Sequence, residues 1–205
     1  MSALLIVGAG GHGKVVAETA ELLGRWNSVV FADDRFPELA SIGKWPVVSK
    51  ADPVDLKKEG FNEFVVAIGN NNVRLKIQRQ LVQSAFLPIS VVHPTAIISP
   101  TVKVGVGTVI FANAVINADT LIGEACIINT AASVDHDCVL GDGVHISPGA
   151  HLAGEVLVGT GSWLGIGSSV IQCINIGKEV VVGAGAAVVS NIPDGLTAKG
   201  VPARF

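Results

Sequence analysis

Every sixth residue between positions 98 and 188 is isoleucine, valine or leucine, sixteen times in succession without an insertion. The sixteen residues are Ile98, Val104, Ile110, Ile116, Ile122, Ile128, Val134, Leu140, Ile146, Leu152, Val158, Leu164, Val170, Ile176, Val182 and Val188. Neither the period of 2 of a strand nor the period of 3.6 of a helix produces this spacing. A triangular coil does, because three short strands per turn each send one aliphatic residue into a narrow interior. The repeat therefore predicts an all-β parallel β-helix of about five coils, stacked roughly 4.8 Å apart.

The first position of each six-residue unit is dominated by small residues, which we expect at the crowded corners of such a coil. The number of charged residues falls near the start of the repeat. Residues 1–95 contain 19 Asp, Glu, Lys and Arg residues, whereas residues 96–191 contain only 9. We therefore predict two domains, residues 1–93 and 94–205.

The first domain alternates between short apolar runs and helical patterns. Strands are predicted at 3–7, 28–32, 64–68 and 89–92, and helices at 15–23 and 74–85. This alternation is typical of an α/β, Rossmann-like parallel sheet with right-handed crossovers.

A glycine-rich turn, GAGGHG at 8–13, joins the first predicted strand to the first helix. Such glycines let backbone N–H groups approach a phosphate at a helix N-terminus, although they also occur where a helix packs closely on a sheet. A dinucleotide needs a larger sheet, so a mononucleotide or a nucleotide sugar fits better. The predicted substrate-binding residues are Gly10, Gly11, His12, Asp33, Asp34 and Gly69.

Composition argues against several classes of partner. The formal net charge of −3 gives no electrostatic drive towards nucleic acid. No run reaches about 18 apolar residues, so membrane insertion is not expected. Residues 1–7 lack a basic region and are interpreted as a buried strand and not as a signal peptide. Three cysteines without CxxC spacing make a disulfide framework improbable. We expect a cytoplasmic protein.

Three of the five histidines, His136, His145 and His151, lie within 16 residues of the repeat and outside its third position. Asp137 follows His136 and could orient its imidazole. Because neighbours in a flat strand point to opposite faces, this pair can form only at a corner of the coil. Gly154 lies 18 residues after His136, so one coil would stack it beside that histidine.

Several segments together resemble the hexapeptide-repeat sugar-nucleotide acetyltransferases, including those that acetylate UDP-4-amino-sugars or perosamine and the sialic acid O-acetyltransferases. They are GAGGHGKVV at 8–16, AIGNN at 67–71, HPTA at 93–96, INTAASVDHDCVLGDGVHISPGAHLAG at 128–154 and GVPAR at 200–204. The resemblance implies a left-handed coil, acetyl-CoA as co-substrate without a metal, and direct transfer of acetyl to the amino group of a nucleotide-linked amino-sugar.

The resemblance also implies roles for individual residues. His136 corresponds to the catalytic base and Asp137 to the acid beside it, which is often glutamate in this family. His145, Gly154, Ile166 and Ala184 match positions that contact acetyl-CoA, and Arg204 would lie near its phosphates. His151, His93 and Cys138 are interpreted as structural.

Three other functions stay open from the sequence. The same base could acetylate a sugar hydroxyl. The clustered histidines could bind zinc, as in the prism-shaped carbonic anhydrases. The chain could also be a scaffold or nucleotide sensor without catalysis. The sparsely charged repeat predicts a large apolar surface and hence a homotrimer, with active sites between subunits.

Overall fold

The computed structural model describes residues 3–205. Met1 and Ser2, which belong to the segment interpreted as a buried strand, lie outside the described residues. The chain forms two compact units, one ending at Pro94 and the other beginning at Thr95. No helix within residues 3–205 is long and apolar enough to cross a membrane.

The N-terminal unit is a six-stranded sheet in the order β3-β4-β2-β1-β5-β6, parallel except for the β3–β4 pair. Its buried strands carry the core, and Leu4, Leu5 and Ile6 are fully buried. The elements are β1 (Ala3–Val7), α1 (Gly11–Leu23), β2 (Ser28–Ala32), β3 (Ser41–Ile42), β4 (Trp45–Ser49), α2 (Pro53–Lys58), β5 (Glu63–Val66), α3 (Asn71–Gln83), β6 (Leu87–Pro88) and β7 (Val91–Val92).

The predicted parallel sheet is confirmed, and β1 and β2 have the predicted bounds. Helix α1 begins four residues earlier than predicted, because the glycine turn itself forms its first turn. Helix α3 begins three residues early, where Asn70 Oδ1 accepts a hydrogen bond from the N–H of Val73 at 3.0 Å. The strand predicted at 64–68 ends at Val66, and only Val91–Val92 of the one predicted at 89–92 forms a strand.

The sequence prediction missed β3, β4 and α2. Strand β4 contains Pro46, which cannot donate to a ladder and masks the strand pattern. Helix α2 has only six residues, too few for a helical period to be visible.

The second unit is the predicted parallel β-helix. Its strands have two residues each, and residues 18 positions apart pair in neighbouring strands. Face I holds β8 (Ile97–Ile98), β11 (Val115–Ile116), β14 (Ser133–Val134), β17 (His151–Leu152), β20 (Ser169–Val170) and β23 (Ala187–Val188). Face II holds β9 (Lys103–Val104), β12 (Leu121–Ile122), β15 (Val139–Leu140), β18 (Leu157–Val158) and β21 (Asn175–Ile176). Face III includes β10 (Val109–Ile110), β13 (Ile127–Ile128), β16 (His145–Ile146), β19 (Trp163–Leu164), β22 (Val181–Val182) and β24 (Thr197–Ala198).

The third-position residues are buried from Ile110 onwards, while Ile98 and Val104 at the end of the stack are half-buried. Most strands therefore send one aliphatic residue inward, as expected, and the first position of each unit, which precedes the strand, is buried as well in most coils. Thr108 and Thr120 are fully buried there, and their hydroxyls donate to the carbonyls of Gly123 at 3.0 Å and Asp135 at 2.8 Å. The small first-position side chains therefore fill the interior beside each corner and satisfy corner carbonyls.

Candidate active site

His136 lies at a corner, where the chain leaves β14 of face I and turns towards β15 of face II. Its backbone N–H donates to Oδ1 of Asp135 at 2.9 Å, and the same oxygen accepts from Nδ2 of Asn117 in the preceding coil at 2.8 Å. Asp137 has a left-handed backbone, with φ of 58°. This turn places two consecutive side chains on the same side, which a flat strand cannot do.

The imidazole of His136 contacts the carboxylate of Asp137, with Nδ1 and Oδ2 2.8 Å apart. This contact raises the pKa of His136 above its usual value, and the charges of Asp135 and Glu155 act in the same direction. Since Nδ1 faces the acid, Nδ1 carries the proton in the neutral ring, and Nε2 is the nitrogen that can accept one. The side chain of His136 is 53% exposed, so a substrate can reach it.

Gly154 stacks on His136 from the next coil, as the spacing of 18 predicts. A Cβ at position 154 would lie 2.5 Å from Cε1 and 2.6 Å from Nε2 of the imidazole. Glycine is therefore required for the ring to lie flat against the backbone. Within residues 3–205, the N–H of Gly154 has no acceptor. It is available to donate to a ligand oxygen beside the histidine.

A second feature is an apolar groove of about 400 Å³ along face III and the III–I corner, where the chain turns from face III to face I. Three of the predicted acetyl-CoA residues, His145, Ile166 and Ala184, line it together. The fourth, Gly154, does not, because it belongs to the I–II corner with His136. The predicted acetyl-CoA-binding residues therefore occupy two different corners of the β-helix.

Trp163 is a wall of this groove that the sequence prediction missed. It follows His145 by one coil, its ring is stacked on the imidazole at 6.0 Å between centroids, and its Nε1 donates to Oγ of Ser147 at 2.6 Å. On the other side, Nε2 of His145 lies 3.2 Å from Nδ2 of Asn129. The period of 18 was the signal that could have identified Trp163.

The N-terminal unit contains a cavity of about 370 Å³ at the carboxyl ends of β1, β2 and β5. Its wall contains every residue predicted to bind the substrate, namely Gly10, Gly11, His12, Asp33, Asp34 and Gly69. Gly10 is the N-cap of α1 and makes no side-chain cap. The first N–H groups of α1 therefore suit an anion such as a diphosphate.

The two acids of the cavity differ in their surroundings. Oδ2 of Asp33 accepts the N–H of Ala9 at 2.8 Å, and both of its oxygens bind the guanidinium of Arg35. Arg35 lowers the pKa of Asp33 to about 2, with a further contribution from the Ala9 hydrogen bond. Asp33 therefore links the loop after β2 to the glycine turn, whereas the side chain of Asp34 is exposed.

His12 stays neutral at physiological pH, because burial and the charge of Arg74 lower its pKa to about 4. Arg74 is itself buried, at 1% exposure, and donates to the carbonyls of Ile68 and Gly69 at 2.9 and 3.2 Å. It fixes the Gly69 loop against α3 and was missed because a buried arginine gives no sequence signal.

The other candidate groups have structural surroundings. Cys138 is buried and donates to the carbonyl of Ala153 at 3.3 Å. Burial raises the pKa of its thiol, which makes it a poor nucleophile. Nδ1 of His151 lies 2.8 Å from Oγ of Ser133 on face I. Within the described chain, no three His, Cys, Asp or Glu side chains converge as a metal-ligand group.

Both units of the chain are similar to known proteins. The family model described as the PglD N-terminal domain matches residues 3–81. Over 113 residues the chain is 41% identical to the curated UDP-N-acetylbacillosamine N-acetyltransferase of Bacillus subtilis (strain 168). That alignment covers 55% of this chain and 52% of the relative, so the match spans about half of the curated protein's length.

Two solved structures match nearly the whole chain. The acetyltransferase domain of PglB from Neisseria gonorrhoeae FA1090, in complex with acetyl coenzyme A, is 42% identical, with a TM-score of 0.93 and coverage of 98% of each chain. PerB from Caulobacter crescentus, in complex with CoA and GDP-perosamine, is 40% identical, with a TM-score of 0.93 over 100% of this chain and 97% of that one. The likeness thus extends over both units.

Proposed function

This chain belongs to the family of sugar N-acetyltransferases that combine a PglD N-terminal domain with a hexapeptide-repeat β-helix, and we propose that it transfers acetyl from acetyl-CoA to the amino group of a nucleotide-linked amino-sugar. The observation that carries the proposal is the His136–Asp137 pair with Gly154 stacked on the imidazole. The bound ligands of the PglB and PerB structures support the two substrate classes.

The corner supplies the groups that acetyl transfer to an amine needs. The amine nitrogen attacks the thioester carbon, and Nε2 of His136 takes the proton that the nitrogen loses. Asp137 stabilises the imidazolium that forms. The N–H of Gly154 donates to the thioester oxygen as negative charge develops on it. When the C–S bond breaks, the CoA sulfur leaves as a thiolate, which His136 can reprotonate. The amide product is released together with free CoA.

Asp137→Asn is expected to move the acidic limb of the kcat–pH profile to lower pH. His136 must be neutral to act as a base, so kcat falls as the pH drops through its pKa, and Asp137 is the largest cause that raises that pKa. Maximal kcat should also fall about tenfold or more, because the ring loses its orienting acceptor. The pH profile of kcat measures both effects.

Asp119→Asn is the matched control for that experiment. Asp119 occupies the same corner position one coil earlier, also with a left-handed backbone, and is not among the groups that raise the pKa of His136. An unshifted limb in the Asp137 variant would contradict the assignment of the base.

We place the diphosphate of the substrate at Gly10 and Gly11 and its ribose and base near Asp34. Asp34→Ala should raise the KM for the nucleotide sugar severalfold and leave the KM for acetyl-CoA unchanged. Glu38→Ala, at an exposed residue farther along the same connection, serves as the control. Steady-state kinetics with each substrate varied in turn decides the point; equal KM values in all three proteins would exclude Asp34 from the site.

The split of the donor-binding residues between two corners supports a homotrimer. The acetyl end of the donor must reach His136 at the I–II corner, whereas the groove follows the III–I corner. A second copy that sets its groove against the first copy's histidine would complete the site. Face I lies between these corners, and its outward row carries no Asp, Glu, Lys or Arg: Ile97, Val115, Ser133, His151, Ser169 and Ala187. This uncharged face suits the contact around a three-fold axis.

Ser169→Arg is expected to dissociate the trimer and abolish activity, since it buries a charge in the proposed contact. Asn175→Arg places the same charge on the outer row of face II at a similar level and should leave the trimer intact. Light scattering should give about three times 21.0 kDa for the unmodified protein and about one third of that mass for the Ser169 variant. A fully active monomer would contradict the shared site.

A further inference from the structure

We propose that the guanidinium of Arg35 is the platform on which the nucleobase of the substrate stacks; this rests on the proposed nucleotide-sugar function. Arg35 lines the cavity of the N-terminal unit directly after the two acids at the end of β2. No role for this arginine follows from the sequence alone. What Arg35 can bind depends on the hydrogen bonds that fix the plane of its guanidinium. It also depends on which of its N–H groups those bonds use.

Three hydrogen bonds fix the plane of the guanidinium. Nε donates to Oδ1 of Asp33 at 2.7 Å, and Nη2 donates to Oδ2 of Asp33 at 3.0 Å. Nη2 also donates to the carbonyl of Ala9 at 2.9 Å. Asp33 is tied in turn to the glycine turn through the N–H of Ala9. A long, flexible side chain is therefore ordered before any ligand arrives, which lowers the entropic cost of binding.

The same contacts make Arg35 a poor phosphate ligand. Three of its five N–H groups are in use, and the paired carboxylate of Asp33 compensates its charge. What remains is a flat face on a side chain that is 60% exposed at the cavity wall. Planar guanidinium groups stack on aromatic rings and on nucleobases.

The layout of the cavity places the nucleobase beside Arg35. The diphosphate is assigned to Gly10 and Gly11, where the N–H groups at the start of α1 are free of a side-chain cap. In open α/β sheets the rest of a nucleotide extends across the carboxyl ends of the neighbouring strands. Both β2 and β5 neighbour β1, and the base is assigned to the β2 side, where Asp34 and Arg35 follow the strand. Ala51 and Ile77 add apolar surface to the same cavity.

Calorimetry on the purified protein tests the proposal with UDP, GDP and dTDP and with inorganic pyrophosphate. In Arg35→Ala, the Kd of the nucleoside diphosphate that the unmodified protein binds best should rise about tenfold or more, and the Kd of pyrophosphate should stay the same. Arg35→Lys should lose nearly as much, because lysine keeps the charge but has no planar face. Arg25→Ala removes another exposed arginine, paired with Glu63, and should bind as the unmodified protein does.

Each alternative has a distinct outcome. Full affinity in Arg35→Lys would show that charge is sufficient and overturn stacking. An equal loss for pyrophosphate would mean that Arg35 serves the phosphates or the loop, and would also overturn it. Unchanged nucleotide affinity in Arg35→Ala would defeat this inference alone. Failure of the unmodified protein to bind any of the three nucleotides would contradict the proposed function as well.

Discussion

Replacement of His136 by alanine is expected to lower kcat by about 10²–10⁴-fold. The variant removes the only imidazole at the I–II corner among the described residues, and this imidazole is the group assigned as the base. The Kd of acetyl-CoA should change little, because most of the donor is assigned to the groove at the III–I corner and only its acetyl end is assigned to the I–II corner. Single-turnover kinetics and calorimetry separate the two quantities.

The exposure of His136 makes this variant a clean test. Its side chain is half exposed and contributes nothing to the buried core, so the melting temperature and the mass in solution should match those of the unmodified protein. Near-normal turnover in a folded variant would eliminate His136 as the base.

Gly154→Ala should be almost as damaging to catalysis, with a kcat up to about 100-fold lower and little change in melting temperature. The new methyl group would occupy the space of the imidazole, 2.5 Å from Cε1. The ring can rotate into solvent, which relieves the contact but breaks the 2.8 Å contact with Asp137. The backbone itself accepts alanine, because Gly154 does not have positive φ and Ala118 occupies the equivalent corner position two coils earlier.

The double variant His136→Ala/Gly154→Ala distinguishes displacement of the imidazole from a direct effect of the new methyl group on the donor. If the methyl group acts only by displacing the imidazole, adding Gly154→Ala to a chain that already lacks His136 should cost no further activity. A large additional loss would mean that the methyl group also obstructs the donor beside the N–H of residue 154, which alanine retains. Full activity in the single Gly154 variant would show that the stacked geometry is irrelevant to catalysis.

The β-helix was predictable because its signal is periodic and apolar. Residues 18 apart become neighbours, so the sequence alone places Gly154 beside His136. The same rule pairs Trp163 with His145, but the sequence prediction did not apply it to His145. The left-handed sense of the coil followed from the family resemblance and not from the period.

The burial of the hydroxyl residues at the first position was not predictable from hydrophobicity. Threonine and serine there look like surface residues, yet Thr108 and Thr120 are fully buried. Their hydroxyls donate to corner carbonyls, which removes the cost of burying them. The acidic pair of the nucleotide site shows a similar limit. The sequence pattern makes Asp33 and Asp34 equivalent, whereas the contacts of Asp33 depend on where the loop brings Ala9 and Arg35.

The proposed reaction is tested most directly by incubating the purified protein with acetyl-CoA and a set of UDP-, GDP- and dTDP-linked 4-amino-sugars. Release of the CoA thiol is followed with a thiol reagent, and the product is identified by mass spectrometry and NMR. We expect thiol release that depends on one of these amino-sugars and a product acetylated on nitrogen. Transfer to a hydroxyl group of the corresponding sugar without an amine, or no transfer to any amino-sugar, would contradict the proposed function.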